Sequence, residues 1–353
     1  MAVSLTPTPW LMIEAELQGS PLNLAIDTGS AWSVLDVKVA ERLGLRGDSF
    51  VRDVDGGRDK YDVVVADGLA IGGTTFSEVG WVIRDLSRVS ARSCLPIDGV
   101  VGHNVLRHMA LELDIPGKTM VLAGSVDDLP IRDGGDVVSL DPSSDRSQVR
   151  LALDGPARFM TIDTGSPTGL TASTKVIRRL DVGRSVVGHG TVSGGLLAAD
   201  EESSELQLFA WPKLPVGGLD LEGVDAVGGV ESTTLGLEVL SRYLVRFDPT
   251  SHTMTAWGNG EPLAKGLVDV GLRWAADSGE VTLVVAGSPA AKAGVALGDR
   301  VVEVDGTRLS DLDAQQRCWL ALDAPGSESL WLRVERGGQP LFEGELREQA
   351  LLP

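Results

Sequence analysis

The chain has 353 residues, 43% hydrophobic and 23% charged, enough for two or three domains with cores of their own. Its formal net charge of −19 opposes phosphate backbones and anionic lipid surfaces, so neither nucleic acid nor membrane is an expected partner. No apolar run reaches the roughly 18 residues that would span a bilayer, and 43 glycines scattered among short β-branched runs favour strands and tight turns over long helices.

The N-terminal stretch MAVSLTPTPWLMIEAEL has neither a basic n-region nor a continuous apolar h-region. The chain therefore reads as cytoplasmic, or as periplasmic or secreted if a leader has been trimmed. The first informative element is 24-LAIDTGSAWSVL-35, an apolar strand that breaks at Asp27-Thr28-Gly29-Ser30. A short helix is expected over 36–45, then a hairpin over 51–65 whose tip is Gly56-Gly57. The stretch 98-DGVVGHNVLRHMALELDIPGKTMVLA-123 closes this unit with an apolar pair, a glycine, a short helix and two strands.

After a link at 126–136 the same order returns. The stretch 160-MTIDTGSPTGLT-171 repeats the strand and its Asp163-Thr164-Gly165-Ser166 end, and a helix is expected over 173–182. A hairpin tipped by Gly194-Gly195 follows, and 233-TTLGLEVLSRYLVRFDPTSHTMTAW-257 closes the second unit. Asp27 and Asp163 are 136 residues apart, the hairpin glycines 138, and Gly102 and Gly236 134. Three landmarks at nearly one offset indicate a duplicated unit.

An aspartate that ends a strand before Thr-Gly can simply cap its own turn. Duplication adds a second reading, because equivalent residues near a pseudo-twofold axis meet across it. Two carboxylates about 3 Å apart at an effective dielectric near 20 repel by about 5 kcal/mol, so they hold one proton between them. Such a pair can deprotonate a water with one member and protonate a carbonyl oxygen with the other. Gly29 and Gly165 give room for close approach. Thr28 and Thr164 can brace the two loops, and the hydroxyls of Ser30 and Ser166 are expected to donate to the carboxylates.

These two DTGS segments, the glycine-tipped hairpins and the VVG (100–102) and TLG (234–236) turns resemble the pepsin/retropepsin aspartic proteases. The resemblance covers about residues 5–257. It implies a mainly β, bilobal acid-protease fold of two homologous β-barrel-like halves, residues 1–125 and 137–258, with Asp27 and Asp163 as the catalytic dyad. It also implies that the hairpins are flaps, with Gly56, Gly57, Gly194 and Gly195 at their tips and Tyr61 as a substrate-contacting candidate. Pro167, where the first copy has an apolar run, departs from the pattern. Trp32 is read either as a subsite wall or as a core residue.

The third segment, about 265–350, carries 287-GSPAAKAGVALGDRVVEVDG-306 and resembles a bacterial, protease-associated PDZ domain of α+β type. The resemblance implies peptide binding at Val270, Gly271, Leu272, Arg273 and Trp274, with backbone N–H groups of Gly271 and Leu272 meeting a C-terminal carboxylate and helix 311–322 facing the peptide. Cys94 and Cys318 fall in different segments and make neither a disulfide framework nor a zinc site. The four histidines lack metal-ligand spacing, so no metal and no cofactor is expected. The reading is a monomeric aspartic-type endopeptidase acting on protein or peptide substrates, with a docking PDZ domain. The alternative is a catalytically inactive peptide-binding adaptor.

Overall fold

The computed structural model describes residues 2–4, 6–7, 10–47, 49–52, 60–190, 204–260 and 268–351. The chain is mainly β, as expected. Each DTGS unit builds its own sheet, and the two sheets match over seven strands, the first adding Leu69–Ile71 and Thr74–Phe76 beside Leu11–Leu17. In the first, the order is Leu11–Leu17, Ser20–Ile26, Gly99–Val101, Ser33–Asp36, Val79–Arg84, Lys60–Ala66, Ser49–Arg52. In the second, it is Gln148–Arg150, Phe159–Ile162, Thr234–Leu235, Leu170–Ser173, Asp225–Val230, Ser204–Ala210, Ser185–Gly190.

Strand directions match as well. The strand that carries each aspartate runs parallel to the strand before the key glycine, Ser20–Ile26 with Gly99–Val101 and Phe159–Ile162 with Thr234–Leu235. Each is followed across the sheet by one antiparallel and one parallel pairing. Parallel neighbours need covering on both faces, and these strands are apolar accordingly: Leu24, Ala25, Ile26, Val100 and Val101 are all buried.

A third sheet joins the halves. Its two central strands, Ala110–Asp114 and Tyr243–Asp248, come from equivalent places in the two units and pair antiparallel. Buried Glu112 on one meets Arg246 on the other, and Arg132 donates to the second Glu112 oxygen at 3.0 Å. One apolar core runs through both halves, from Leu11 to Ala256.

The helix expected over 36–45 is Val37–Arg42, N-capped by Asp36, and that over 173–182 is Thr174–Ile177. The first expected hairpin pairs Ser49–Arg52 with Lys60–Ala66, whereas Ser185–Gly190 pairs with Ser204–Ala210, a return strand beyond the expected 186–198. The tip glycines Gly56, Gly57, Gly194 and Gly195 lie outside the described residues, as does the side chain of Tyr61.

The third segment has a separate core around Leu272, Val301, Leu330 and Leu332. A four-stranded sheet is packed with the helix Ala314–Asp323, which starts at a reciprocal cap between Asp313 and Gln316. It is attached to the rest in two ways. Strand Val281–Val285 pairs with Ser185–Gly190, so the sheet of the second half continues into the third segment and ends at Leu272–Trp274. Gly190 makes that approach possible: at φ +143° its backbone lies against the other strand, and an added Cβ would fall 2.6 Å from Leu283 Cα.

The second attachment corrects the reading of the cysteines as unlinked. Cys94, at the end of helix Ser87–Ser93 in the first half, is bonded to Cys318 on helix Ala314–Asp323. Proximity in the fold, invisible in a spacing of 224 residues, brings them together. In the chain-entropy account a closure of that length contributes roughly 5 kcal/mol. Reduction, or Cys318→Ser, should therefore lower the free energy of unfolding by an amount of that order, read from urea titrations with and without reductant; an unchanged midpoint and slope would remove the bond from the stability of this chain.

Candidate active site

The site forms where the two aspartate loops meet. Each loop leaves its strand with the backbone still held by the parallel neighbour: Asp27 N–H donates to Val101 O at 3.0 Å and Asp163 N–H to Leu235 O at 2.9 Å. The glycine turns then receive the loops. His103 N–H donates to Ser30 O and Leu237 N–H to Ser166 O, both at 2.8 Å. Gly102 and Gly236 must be glycine for this, because a Cβ on either would collide with a carbonyl, of Trp32 and of Thr168 respectively.

The threonines lock the loops to each other. Thr28 N–H donates to Thr164 Oγ1 at 3.0 Å and Thr164 N–H to Thr28 Oγ1 at 3.1 Å. Each hydroxyl passes on its own proton, Thr28 to Ile162 O at 2.7 Å and Thr164 to Ile26 O at 2.8 Å. All four groups are buried, so each bond also avoids the cost of an unpaired polar atom, about 1–3 kcal/mol apiece. Trp10 adds a brace from the first half, donating Nε1–H to Gly165 O at 2.8 Å.

This lock brings the two carboxyl groups face to face. Asp27 and Asp163 are 4% and 9% exposed and within mutual hydrogen-bonding reach. Each lies over the glycine of the opposite loop. A Cβ on Gly29 would sit 2.6 Å from Asp163 Cγ, and one on Gly165 would collide with the Asp27 carboxyl. Burial, and then the neighbouring Asp27 charge, push the Asp163 carboxyl well above its ordinary 3.8, against the lowering effect of the Gly165 N–H.

The two loops are not electrically equal. Asp27 Oδ1 accepts N–H bonds from Gly29 at 2.8 Å and Ser30 at 2.9 Å, whereas Asp163 Oδ1 accepts one from Gly165 at 2.9 Å. The expected serine hydroxyl bonds to the carboxylates are not formed. Ser30 Oγ donates to Trp32 O, and Ser166 Oγ shares a proton with Thr168 Oγ1, because each hydroxyl is turned into its own loop. Pro167 leaves the second loop intact, with Gly236 N–H donating to Gly169 O. Trp32 is half-buried against the apolar cluster of the first half.

Asn104, missed in the sequence, is part of this framework. Its Oδ1 accepts from Ser33 N–H and Oγ–H, and its Nδ2–H donates to Gly80 O, fastening the glycine turn to two strands. Its place two residues after Gly102 was the available signal. In the second half Thr171 and Thr234 make the corresponding tie, hydroxyl to hydroxyl at 2.8 Å.

The five residues read as a carboxylate-binding stretch lie at the edge of the third segment. Val270, Leu272 and Trp274 are buried; Arg273 is partly exposed. Gly271 N–H is not free to meet a ligand, since it donates to Asp269 Oδ1 at 2.6 Å. An acidic residue two positions ahead captures it through a local turn, which the motif did not disclose.

Residues 13–105 match the aspartyl protease family model, and residues 280–336 match that of the PDZ domain. No curated protein matches the chain. Among solved structures, a retropepsin-like aspartic protease from Rickettsia conorii aligns at 15% identity over 35% of this chain and 88% of its own, with a TM-score of 0.27. The N-terminal unit is thus aspartyl protease-like, and the C-terminal segment is a PDZ domain.

A carboxyl whose folded pKa lies above its unfolded value favours folding most below about pH 4, and the contribution is lost as pH rises through the folded value. The chain should therefore lose stability as pH rises through the elevated pKa of Asp163. Asp163→Asn, which can still accept from Gly165, should flatten the dependence and raise the neutral-pH melting temperature. Calorimetry between about pH 4 and pH 8 checks this; parallel profiles for the two proteins would contradict it.

Proposed function

We propose that the chain is an aspartic-type endopeptidase that hydrolyses peptide bonds with a water activated between Asp27 and Asp163. The observation that carries this reading is the buried, threonine-locked carboxyl pair with one member biased towards its acid form. Asp27, with two N–H donors on one oxygen, is the better-supported anion and takes the proton from the attacking water. Asp163 gives its proton to the carbonyl oxygen, so the tetrahedral intermediate forms as a neutral diol. Collapse returns a proton from a diol hydroxyl to Asp163, while Asp27 delivers the proton it holds to the leaving amine. The pair ends as it began, and no covalent enzyme intermediate is formed.

This assignment sets the pH dependence. Activity requires Asp27 ionised and Asp163 protonated, so the rate falls as pH rises through the Asp163 pKa, which burial and the Asp27 charge place above the ordinary carboxylate range. A profile of kcat/KM on an unfolded protein substrate should show that falling limb. Asp27→Asn should reduce turnover by several orders of magnitude without altering the circular dichroism spectrum. Retained turnover in that variant would dismiss the dyad and favour a peptide-binding adaptor.

The PDZ domain supports docking of protein or peptide ligands, and its strand Val281–Val285 also extends the hairpin strand Ser185–Gly190 of the second half. A purely tethered docking module needs no such ladder. The Cys94–Cys318 bond favours an oxidising compartment as the place of work. Gly190→Val, which prevents the close approach of the two strands, should lower kcat/KM on a short peptide that makes no contact with the PDZ domain. An unchanged value would restrict the domain to docking.

A further inference from the structure

The start of the PDZ edge strand is occupied by side chains of the protein itself. Asp269, 7% exposed, accepts Gly271 N–H on Oδ1 at 2.6 Å. Arg273 closes over the same carboxylate, with Nη1 on Oδ1 at 3.1 Å and Nη2 on Oδ2 at 2.6 Å. Arg273 Nη1 also donates to Leu272 O at 2.7 Å. The loop is tied down around these groups. Gly271 is at φ +78°, and a Cβ there would collide with Ser288. Its carbonyl accepts Val285 N–H at 2.9 Å, and that of Val270 accepts Ala290 N–H at 3.1 Å.

The outer edge of Leu272–Trp274 nevertheless remains available for pairing. Because Val285 N–H reaches Gly271 O, antiparallel alternation turns the N–H and C=O of Leu272 away from Val281–Val285. Among the described residues this strand ends its sheet.

We propose that this edge takes an internal, extended segment of a protein chain and discriminates against a free C-terminus. The inference rests on the docking role given above. A terminal carboxylate entering the loop would find the Gly271 donor used and the Asp269 charge fixed beside it, with the Arg273 guanidinium already committed to Asp269 and Leu272. An internal segment brings no charge to that point. Its N–H replaces Arg273 on Leu272 O, its C=O takes Leu272 N–H, and Asp269 and Arg273 keep their pair. Asp269 is thus the residue that selects the form of the ligand.

The test uses the full chain carrying Asp27→Asn, so that bound peptides are not consumed. A panel of short apolar peptides is offered in three forms: free acid, C-terminal amide, and the same sequence embedded in a longer peptide. Affinity is measured by titration, and the contact is located by amide hydrogen exchange at 272–274. The amide and embedded forms should bind alike, with the free acid at least about tenfold weaker, a gap of the size expected from one uncompensated charge. Added salt should narrow the gap, and so should Asp269→Asn, whose amide oxygen can still accept from Gly271. Free acids binding more tightly than amides would overturn the selectivity while leaving docking in place. Absence of protection at 272–274 with every form would overturn both, and neither result bears on the dyad.

Discussion

Two buried carboxyl groups within hydrogen-bonding reach of each other are the constraint that the two DTGS halves are built to satisfy. Left free, such groups would separate and take up water, since both cannot be ionised at that distance without several kcal/mol of repulsion. What prevents separation is the exchange of hydrogen bonds between Thr28 and Thr164, each threonine donating its backbone N–H to the other and its hydroxyl proton to a carbonyl of the opposite strand. The bonds sit one residue from each carboxylate, so the loops cannot part without leaving four buried polar groups unpaired. The proton shared by the aspartates follows from this geometry.

The symmetry of the scaffold contrasts with the asymmetry of the site. Seven strands in each half pair in the same order and directions, and the two glycine turns take hydrogen bonds at equivalent positions. An exactly symmetric pair would have no reason to put its proton on one side. The difference arises in the loops: both serine N–H groups reach the backbone carbonyl of their own aspartate, Ser30 at 3.4 Å and Ser166 at 3.3 Å, but Ser30 N–H also reaches Asp27 Oδ1 at 2.9 Å. Both carboxyls are buried, so burial favours one proton on the pair without choosing its place; the added N–H favours charge on Asp27, and that charge in turn raises Asp163. In the proposed mechanism, small departures from duplication divide the labour between base and acid.

Much of the scaffold was legible in the sequence because duplication leaves its mark at fixed offsets. The DTGS segments, the glycines at 102 and 236, the short helices and the first strand of each hairpin appear at matching positions, and the PDZ signature is long and local. What escaped were interactions that no spacing records. Trp10 reaches Gly165 across 155 residues, Cys94 reaches Cys318 across 224, and Ser185–Gly190 finds its second partner in another domain. The serine hydroxyls were misassigned for a related reason: a hydroxyl beside a carboxylate in sequence has several possible partners in space, and here they are Trp32 O and Thr168 Oγ1. At the PDZ edge, the motif fixed the backbone path but not its donors, one of which Asp269 had already claimed.

The attachments of the PDZ domain bear on how a ligand can act. If, as the PDZ resemblance implies, a docked peptide lies between the Leu272–Trp274 edge and the helix Ala314–Asp323, its walls are anchored in different places. The strand wall is continuous, through Val281–Val285, with the sheet of the second half. The helix wall is bonded through Cys318 to the end of a helix in the first half. Any ligand that needs a wider gap therefore works against the seam between the halves, the same seam that the threonines hold at the dyad. A thin, extended segment is accommodated without that cost, whereas a bulky one is opposed by both anchors together. Under the proposed docking, the size of what the edge admits would be set by covalent and β-ladder constraints outside the PDZ domain, while Asp269 and Arg273 inside it would set the charge.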